Sequence, residues 1–335
     1  MEQRRFGSSD LHTSAIGFGA WEMSARQYGH IDANEATRAA QSAIDQGVTL
    51  FDTSETYGPY HSERLLGKAL GARRKDVILV TKVGFTFQDD PDHPGQVMIH
   101  SRDSSAGNII ARLEGCLRRL RTDVIDLLLI HFHDHTTPHE ETLRGLQQLQ
   151  AAGKIRYYGV SNYSAPMLAA CQAHGHLTAN QVGYHLFDRR VEKTVLPYCR
   201  AQGIGFMAYG TLAFGLLSGA FTPETRFVDW DWRSRGDAFG LPLFQREHFL
   251  KELRAVERLK TLAADYGKST AQLAIAWLLG RAGVTVALVG MRNERELKEN
   301  VAAADWRLSD DDCEAIDRIF AEEGIPSYRD VDMVT

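Results

Sequence analysis

The stretch NEATRAAQSAIDQGVTLFDT, residues 34–53, decides the fold because it carries both halves of one repeated unit. Its first part is Ala-rich with apolar residues at helical spacing, and Gly47 follows as a helix C-terminal glycine should. The next residues, TLFDT (49–53), form a short apolar run of the kind found in a strand buried on both faces. A helix next to such a strand is typical of an α/β protein with a parallel sheet.

The same alternation continues along the chain. The predicted strands are SAIGFGAW (14–21), TLFDT (49–53), VILVTKVG (77–84), DLLLIHF (126–132), RYYGVSN (156–162), ANQVGYH (179–185), IGFMAYG (204–210) and VTVALVG (284–290). Helical patterns separate them, and eight strand–helix units predict a closed (β/α)8 TIM barrel more than an open doubly wound sheet. No low-complexity tract or Pro-rich linker interrupts the units, so we predict a single barrel domain over residues 1–335.

Three segments fall outside the repeat. RRFGSSDLHT (4–13) is predicted to form a β-hairpin that caps the bottom of the barrel. The long loop after the seventh strand, residues 212–246, carries Trp230, Trp232, Phe239 and Phe244 among its aromatic residues, which favours a packed functional insertion over disorder. DDDCEAIDRIFAEEG (310–324) predicts an extra helix capped by Asp310 or a neighbour, and residues 325–335 are predicted to be irregular.

The composition excludes several classes of protein. The chain has 335 residues and a formal net charge of -5, so it lacks the excess of basic residues expected of a protein that binds nucleic acid or an anionic membrane. It contains no apolar run of roughly 18 residues and no apolar stretch near its start typical of a secretory signal. Its four cysteines are far apart and lack CxxC spacing, as expected for reduced thiols. We therefore expect a cytoplasmic protein without nucleic-acid or membrane partners.

Four reactive residues follow three consecutive predicted strands, where a barrel of this class carries its chemistry. Asp52 and Tyr57 follow the second strand, Lys82 ends the third, and His131 ends the fourth. A buried Lys82 needs a charged partner, which Asp52 can supply, and its ammonium would favour ionisation of Tyr57. Tyr57 could then act as a general acid/base on a carbonyl or alcohol oxygen that His131 orients, with a cofactor supplying the hydride.

These residues also carry a resemblance to a known family. FDTSETYG (51–58), VTKVG (80–84), DLLLIH (126–131) and GKIRYYGVSN (153–162) resemble the aldo-keto reductase family, and the likeness extends from residue 4 to about residue 304. The resemblance implies a (β/α)8 barrel and an NAD(P)-dependent carbonyl reductase or alcohol dehydrogenase (EC 1.1.1.-) with a small-molecule carbonyl or alcohol substrate. It also implies a catalytic tetrad of Asp52, Tyr57, Lys82 and His131, with Tyr57 as general acid/base.

The resemblance also implies where the cofactor binds. Ser161, Asn162 and Gln181 match residues that hold the nicotinamide carboxamide, and Tyr209 matches the aromatic residue that stacks on the nicotinamide ring. The first loop contributes Gly19, Ala20 and Trp21, and the loop after the seventh strand contributes Gly210, Thr211, Leu212 and Gly215. The family often has Ser-Pro-Leu at 210–212, so this chain lacks one hydroxyl of the pyrophosphate cradle, although backbone N–H groups could serve there.

The last cofactor motif is GMRNERELKEN (290–300). Its Gly290, Arg292, Glu296, Glu299 and Asn300 match positions that hold the adenosine end of the cofactor. Arg292 suits a 2′-phosphate, whereas a carboxylate at Glu296, where the family usually has Gln or Arg, would repel it. We predict NADP and keep NAD as an alternative. A purely structural interpretation, with these residues as charges on a solvated helix, stays open.

A cluster of histidines lies in HFHDHTTPH (131–139). If the strand continued, His131 and His133 would point the same way and could bind one metal ion, with His185 as a further ligand. No acid ends the eighth strand, so a metal-dependent barrel hydrolase is the weaker hypothesis and we predict no metal site. His133 and His135 more simply shape the substrate pocket or are solvated.

The expected pocket walls are Trp21, Phe85, Phe132, His133 and the long loop, which suit a bulky or polyhydroxylated carbonyl compound. A second functional hypothesis is a non-catalytic NADP-binding sensor or channel-accessory module. Such a module would not need Tyr57 and His131 together, and all four tetrad positions are filled here. A Rossmann dehydrogenase is disfavoured because no GxGxxG follows any predicted strand.

Overall fold

A computed structural model gives the structure of residues 1–24 and 31–328. Its centre is a closed barrel of eight parallel strands, which confirms the predicted fold. The barrel strands are Ile16–Gly19 (β3), Leu50–Asp52 (β4), Ile78–Val83 (β5), Ile125–Ile130 (β8), Ile155–Ser161 (β9), Ala179–Gly183 (β10), Gly205–Tyr209 (β11) and Val284–Gly290 (β12). They follow one another around the barrel in chain order, with β12 closing onto β3.

Helices surround the barrel. In the described part of the chain they are Ala33–Asp45 (α1), His61–Leu70 (α2), Ala106–Leu120 (α3), His139–Ala151 (α4), Ala165–Gln172 (α5), Val195–Ala201 (α6), Arg246–Ala264 (α7), Thr270–Leu279 (α8), Glu294–Val301 (α9) and Asp310–Glu322 (α10). Side-chain caps fix several starts. Ser105 accepts the Asn108 N–H at the start of α3, and Ser309 forms a capping box with Asp312 at the start of α10. The predicted extra helix therefore begins after Ser309, a neighbour of Asp310.

The barrel strands separate two apolar cores. The larger core lies between the strands and the surrounding helices, where parallel strands need cover on their outer face. The smaller core fills the barrel interior with Phe6, Leu11, Leu50, Ile78, Val80, Leu127, Leu129, Ala179, Met207, Val286 and Leu288. The interior is thus packed with side chains, and polar groups are left to the carboxyl ends of the strands.

The N-terminal hairpin closes one end of the barrel, as predicted. Its strands Gln3–Arg5 (β1) and His12–Ser14 (β2) pair antiparallel, and the turn between them carries Phe6 into the interior core. Gly205 makes room for that ring, because a Cβ there would lie 2.2 Å from the Phe6 Cδ1. The hairpin therefore packs through Phe6 against Gly205, the N-terminal residue of β11.

A second hairpin was not predicted. Phe85–Asp89 (β6) and Val97–Arg102 (β7) pair antiparallel between the third barrel strand and α3, with Phe85 opposite Arg102. The alternation of strands and helices skips this segment because its strands lie outside the barrel. The hairpin matters for the site because Phe85 packs against Phe132, with ring centroids 6.2 Å apart.

The long loop after β11 is packed by its aromatic residues, as predicted. Phe214 stacks on Phe239 with ring centroids 5.3 Å apart and meets Trp232 edge-on at 5.2 Å. Phe244 also lies against Trp232, with centroids 5.9 Å apart. Trp230 is the exception, since 62% of its surface is exposed. The loop therefore has a small aromatic core of its own, which holds it over the barrel.

None of the helices in the described residues combines the length and the apolar character needed to cross a membrane. Residues 325–328 are irregular, as predicted, and the rest of the predicted irregular tail, 329–335, lies outside the described residues.

The packing of the N-terminal hairpin gives a stability prediction. We expect Phe6→Ala to lower the free energy of unfolding by about 3–5 kcal/mol, because it empties a fully buried site that Gly205 cannot refill. Urea unfolding followed by circular dichroism measures the change. Val228→Ala, at a position 51% exposed, is the control and should change it by less than about 0.5 kcal/mol. An unfolding midpoint unaltered by Phe6→Ala would contradict a structural role for the hairpin.

Candidate active site

A cavity of about 510 Å³ opens at the carboxyl ends of the barrel strands. The predicted site residues that line it are Gly19, Trp21, Asp52, Tyr57, His131, Phe132, Ser161, Asn162, Gln181, Tyr209, Gly210, Thr211, Leu212, Gly215, Gly290, Arg292, Glu296, Glu299 and Asn300. They come from seven of the eight strand ends and from the long loop. The barrel topology, rather than closeness in sequence, brings them together.

Lys82 lies under the cavity and joins two of the predicted catalytic residues. Its Nζ donates to Asp52 Oδ2 at 2.6 Å, to the Thr53 carbonyl oxygen at 2.9 Å and to Tyr57 Oη at 3.0 Å. Lys82 is fully buried and Asp52 is 3% exposed. An ammonium so placed has three acceptors for its three N–H groups, and one of those acceptors is the phenol oxygen.

The charges of this group depend on burial. Burial lowers the pKa of Lys82, and the Asp52 carboxylate opposes that shift because it stabilises the ammonium. The other carboxylate oxygen, Asp52 Oδ1, accepts from Gln181 Nε2 at 2.7 Å. Gln181 therefore fixes Asp52 from across the barrel, a contact that the sequence alone did not indicate.

The loop that carries Tyr57 is held by close backbone contacts. Gly58 has φ +58°, and a Cβ there would lie 1.9 Å from the Ser24 carbonyl oxygen. Glu55 accepts from Arg112 Nε at 2.8 Å, and Arg112 also donates to Tyr60 Oη at 2.6 Å. These contacts hold both sides of Tyr57, so its hydroxyl stays directed toward Lys82.

His131 lies beside Tyr57, with ring centroids 6.0 Å apart. Its Nδ1 is within hydrogen-bond distance of the hydroxyls of Ser54 at 3.2 Å and Thr56 at 3.4 Å. Burial, together with the positive charges of Lys82 and Arg102, holds the pKa of His131 well below its ordinary value of 6.5. The imidazole is therefore neutral at pH 7, with one nitrogen that can donate and one that can accept.

The residues predicted to hold a carboxamide form one hydrogen-bonded group. Ser161 Oγ donates to the Gln181 carbonyl oxygen at 2.9 Å, and Asn162 Nδ2 donates to the His131 carbonyl oxygen at 3.1 Å. Tyr209 Oη donates to Asn162 Oδ1 at 2.8 Å. Asn162 has φ +63°, a conformation that asparagine tolerates better than most residues. The amide is thus held at the cavity wall in one orientation.

The far end of the cavity carries opposite charges in contact. Arg292 Nη2 donates to Glu296 Oε1 at 2.7 Å, and the Arg292 backbone N–H donates to Glu296 Oε2 at 3.0 Å. Burial opposes ionisation of Glu296, but these hydrogen bonds from Arg292 lower its pKa below the ordinary value. Asn300 Nδ2 donates to the Gly290 carbonyl oxygen at 3.3 Å, which fixes the turn into α9.

Glu22 is a cavity residue that the sequence analysis missed. Its carboxyl lies so close to Gly290 that a Cβ on that glycine would be 2.0 Å from Glu22 Oε1. Burial raises the pKa of Glu22 to about 7, although the charges of Arg292 and Arg233 oppose the shift. Glu22 therefore changes its charge near neutral pH inside the cavity.

Other lining residues were missed or predicted only as a range. Glu22, Thr56, Ala271, Leu288, Val289 and Arg295 line the cavity without having been predicted. The long loop was predicted as a wall, and its lining members include Phe214, Ser218, Ala220, Phe221, Arg233 and Phe239. Most of the missed residues have no charged or reactive side chain that would mark them in the sequence. Glu22 and Arg295 are charged and follow the ends of predicted strands, so they could have been considered.

Besides Lys82, three predicted residues lie outside the cavity lining. Ala20 is fully buried, and its backbone bonds to Asp52 and to the Ser62 hydroxyl instead. Phe85 packs edge-on against His131, with centroids 5.7 Å apart, and supports the wall from behind. His133 turns away toward α4. The structure therefore does not place Phe85 or His133 among the residues that line the cavity, which corrects the prediction that they form its walls.

The histidine cluster is split between two environments. The fourth barrel strand ends at Ile130, so strand alternation does not apply to His131 and His133. His133 lies instead with His135 and His139, at centroid distances of 5.0 and 4.5 Å. Among residues 1–24 and 31–328, no three His, Cys, Asp or Glu side chains are placed to hold a metal ion. His185 packs on Phe214 rather than on this cluster.

Comparison with known proteins gives one family over nearly the whole chain. The family model described as the aldo/keto reductase family matches residues 15–321. The aldo-keto reductase YhdN of Bacillus subtilis (strain 168) is 35% identical over 323 residues, which cover 96% of this chain and 94% of that protein. A probable voltage-gated potassium channel subunit beta of Oryza sativa subsp. japonica is 31% identical, covering 91% of this chain and 92% of that protein.

Solved structures also match nearly the whole chain. The glycerol dehydrogenase AKR11B4 from Gluconobacter oxydans matches with a TM-score of 0.87 and 33% identity, covering 97% of this chain and 96% of that one. An aldo/keto reductase from Klebsiella pneumoniae, in complex with NADP and acetate, matches with a TM-score of 0.73 and 28% identity. The match covers 96% of this chain and 96% of that one.

The buried ion pair under the cavity gives a stability prediction. Asp52→Asn leaves the Lys82 ammonium buried without its counter-charge, so we expect a loss of about 3–5 kcal/mol in the free energy of unfolding. The double variant Asp52→Asn/Lys82→Met removes that charge as well and should recover much of the loss. Urea unfolding of the three proteins tests this. A double variant no more stable than Asp52→Asn would contradict the buried-charge argument.

Proposed function

The chain belongs to the aldo/keto reductase family, and on that premise we propose that it transfers a hydride between NADP(H) and a carbonyl compound or the matching alcohol. In this proposal Tyr57 is the general acid/base, with Lys82, Asp52 and His131 as the other members of a catalytic tetrad. The observation that carries it is the 3.0 Å hydrogen bond from Lys82 Nζ to Tyr57 Oη, backed by the 2.6 Å bond from Lys82 to Asp52.

The tetrad provides a proton that can move in either direction. During reduction Tyr57 gives its proton to the carbonyl oxygen, and the phenolate left behind is stabilised by the ammonium of Lys82. During oxidation of an alcohol the phenolate takes the proton back. Asp52 keeps the ammonium charged in its buried position, so it is a positioning residue and does not contact the substrate.

His131 would orient the reacting oxygen. If the Ser54 hydroxyl donates to Nδ1, the ring proton lies on Nε2 and can donate a hydrogen bond to the substrate oxygen. Because the ring is neutral at pH 7, it places the oxygen near Tyr57 without competing with Tyr57 as the acid. This division of roles leaves a single proton donor.

The cavity fits an extended dinucleotide. Gly19, Gly210 and Gly290 line it, and the absent side chains let a ligand approach the backbone. Asn162 and Gln181 would hold the carboxamide beside the tetrad, and Tyr209 would lie against the nicotinamide ring. When bound, this cofactor donates or accepts the hydride at the carbonyl carbon.

Arg292 and Arg295 supply cations at the other end of the cavity. A guanidinium suits a 2′-phosphate, which supports NADP, as does the NADP in the matching Klebsiella pneumoniae structure. Glu296 already forms an ion pair with Arg292, so a 2′-phosphate has to compete with this carboxylate. We therefore expect NADP to bind with less advantage over NAD than Arg292 alone would give.

The substrate is expected to be bulky or polyhydroxylated. Trp21 lines the cavity beside Tyr57, with ring centroids 6.0 Å apart, and Trp232 stacks on Trp21 at 5.6 Å. Phe132 lines the cavity next to His131. These rings give an apolar entrance that excludes water from the reacting oxygen, while leaving room for a substrate larger than a simple aldehyde.

A second candidate is a cofactor-binding partner of a membrane channel. The 31% identity to a probable channel subunit of rice favours it. The two candidates differ in turnover, because binding alone does not need the proton path from Lys82 through Tyr57. Measurable reduction of aldehydes that depends on Tyr57 would support the enzyme.

Removal of the Tyr57 hydroxyl tests the proposed acid/base. We expect Tyr57→Phe to lower kcat by about 10²–10⁴-fold while NADPH binding is retained, because the hydroxyl acts on the substrate and not on the cofactor. Steady-state NADPH oxidation and fluorescence titration measure the two quantities. Tyr266→Phe, at an exposed tyrosine between α7 and α8 that does not line the cavity, should keep turnover. Unchanged kcat in Tyr57→Phe would defeat the assignment.

The Arg292–Glu296 pair gives a prediction on cofactor preference. Glu296→Gln removes the charge that competes with a 2′-phosphate, so we expect the NADPH-to-NADH affinity ratio to rise about tenfold, equivalent to about 1.4 kcal/mol. Parallel fluorescence titrations with NADPH and NADH measure it in both proteins. Glu294→Gln, on the same helix but bonded to Ser42, is the control. An equal ratio in Glu296→Gln and the parent would contradict the proposed competition.

A further inference from the structure

Arg102 lies at the edge of the substrate end of the cavity, on the hairpin that the strand–helix repeat does not include. It is the last residue of β7, and its guanidinium carbon lies 4.6 Å from the centroid of Phe132, a cavity-lining ring. Its Nη1 donates to the His133 carbonyl oxygen at 3.1 Å. The guanidinium is thus held in place by a ring face and a backbone carbonyl, although much of the side chain is exposed.

Within residues 1–24 and 31–328, no acid balances the charge of Arg102. Among the described residues, no carboxylate pairs with Arg102 or affects its pKa, which burial alone lowers. Asp103 and Asp134, which adjoin Arg102 and His133 in sequence, already accept hydrogen bonds from other groups. Asp103 Oδ1 accepts the Ser105 N–H at 2.9 Å, and Asp134 accepts from the backbone N–H groups of Ser104 and Thr137. A partly desolvated cation without a counter-charge suits an anionic ligand.

Arg102 is close enough to the reacting groups to act on the same molecule. The His131 and Phe132 rings stack with centroids 5.0 Å apart, so His131 and the Arg102 guanidinium contact the same ring. The charge of Arg102 also contributes to the lowered pKa of His131. A substrate whose carbonyl oxygen meets His131 and Tyr57 would therefore pass Phe132 and reach Arg102 with its other end.

We propose that Arg102 is an anion subsite for the distal end of the substrate, so that the preferred substrates are carbonyl compounds with a terminal carboxylate or phosphate. This inference rests on the proposed hydride transfer and names the substrate class for that same site. Arg102 presents its guanidinium edge already in position, because Phe132 and the His133 carbonyl limit its rotation. Arginine can bind a carboxylate or a phosphate by two parallel hydrogen bonds, which fixes the orientation of the substrate as well as its charge.

The test compares charged and neutral substrates of the same shape. Full-length protein with NADPH is assayed on 4-, 5- and 6-carbon ω-oxo carboxylates and on the corresponding ω-oxo amides. We expect kcat/KM of the parent to favour at least one acid over its amide by about tenfold or more, mainly through KM. In Arg102→Gln that ratio should fall to about one, because kcat/KM of the acids falls far more than kcat/KM of the amides. Arg102→Lys should keep part of the preference.

Arg118→Gln is the matched control, because Arg118 is an exposed arginine near the C-terminal end of α3, away from the cavity. It should leave the acid-to-amide ratio as in the parent. An equal ratio in Arg102→Gln and the parent, or a parent that prefers the amides, would overturn the subsite while leaving hydride transfer intact. Absence of NADPH oxidation with acids and amides alike would instead overturn the proposed function, and the subsite with it.

Discussion

The buried ammonium of Lys82 is the constraint around which the site is arranged. A charge with no exposed surface is tolerated only if its N–H groups meet acceptors and a counter-charge. Asp52, on the adjacent barrel strand, supplies the charge, and the Thr53 carbonyl and Tyr57 hydroxyl complete the set. Since these acceptors come from the end of one strand and its loop, satisfying Lys82 also places the phenol. Stability and the proposed acid/base chemistry thus depend on the same three hydrogen bonds.

The barrel, and the convergence of Asp52, Tyr57, Lys82 and His131 in it, could be predicted because each leaves a strong signal in the sequence. Strands buried on both faces are near-continuous apolar runs, and helices between them keep a different period. Once the strand ends are located, a charged residue such as Lys82 within an apolar run stands out, and Asp52 and His131 occupy equivalent positions on the neighbouring strands. Closure of the barrel then converts separate strand ends into one site, without knowledge of any side-chain conformation.

The remaining differences between the predictions from sequence and the structure come from contacts that no local sequence pattern encodes. The hairpin that carries Arg102 consists of two short strands outside the barrel, so the strand–helix repeat passes over it. The pairing of His131 with His133 assumed a strand that in fact ends at Ile130. Gln181 is predicted to hold a ligand, and its Nε2 also bonds to Asp52, a contact that depends on closure of the barrel and was not predicted. Each case depends on where an element ends or on what lies across the barrel.

At the far end of the cavity, acidic residues lie close to Arg292, the residue proposed to bind a 2′-phosphate. Arg292 is bound by Glu296, and Glu22 lies against Gly290 with a pKa raised by burial to about 7. A carboxyl with a raised pKa is neutral below that pH and gains a negative charge above it. Above neutral pH, Glu22 therefore adds a negative charge to the region where a phosphate would bind, and below it Glu22 does not. In the proposed function a phosphate would compete with Glu296 for Arg292, and the charge of Glu22 makes that competition depend on pH.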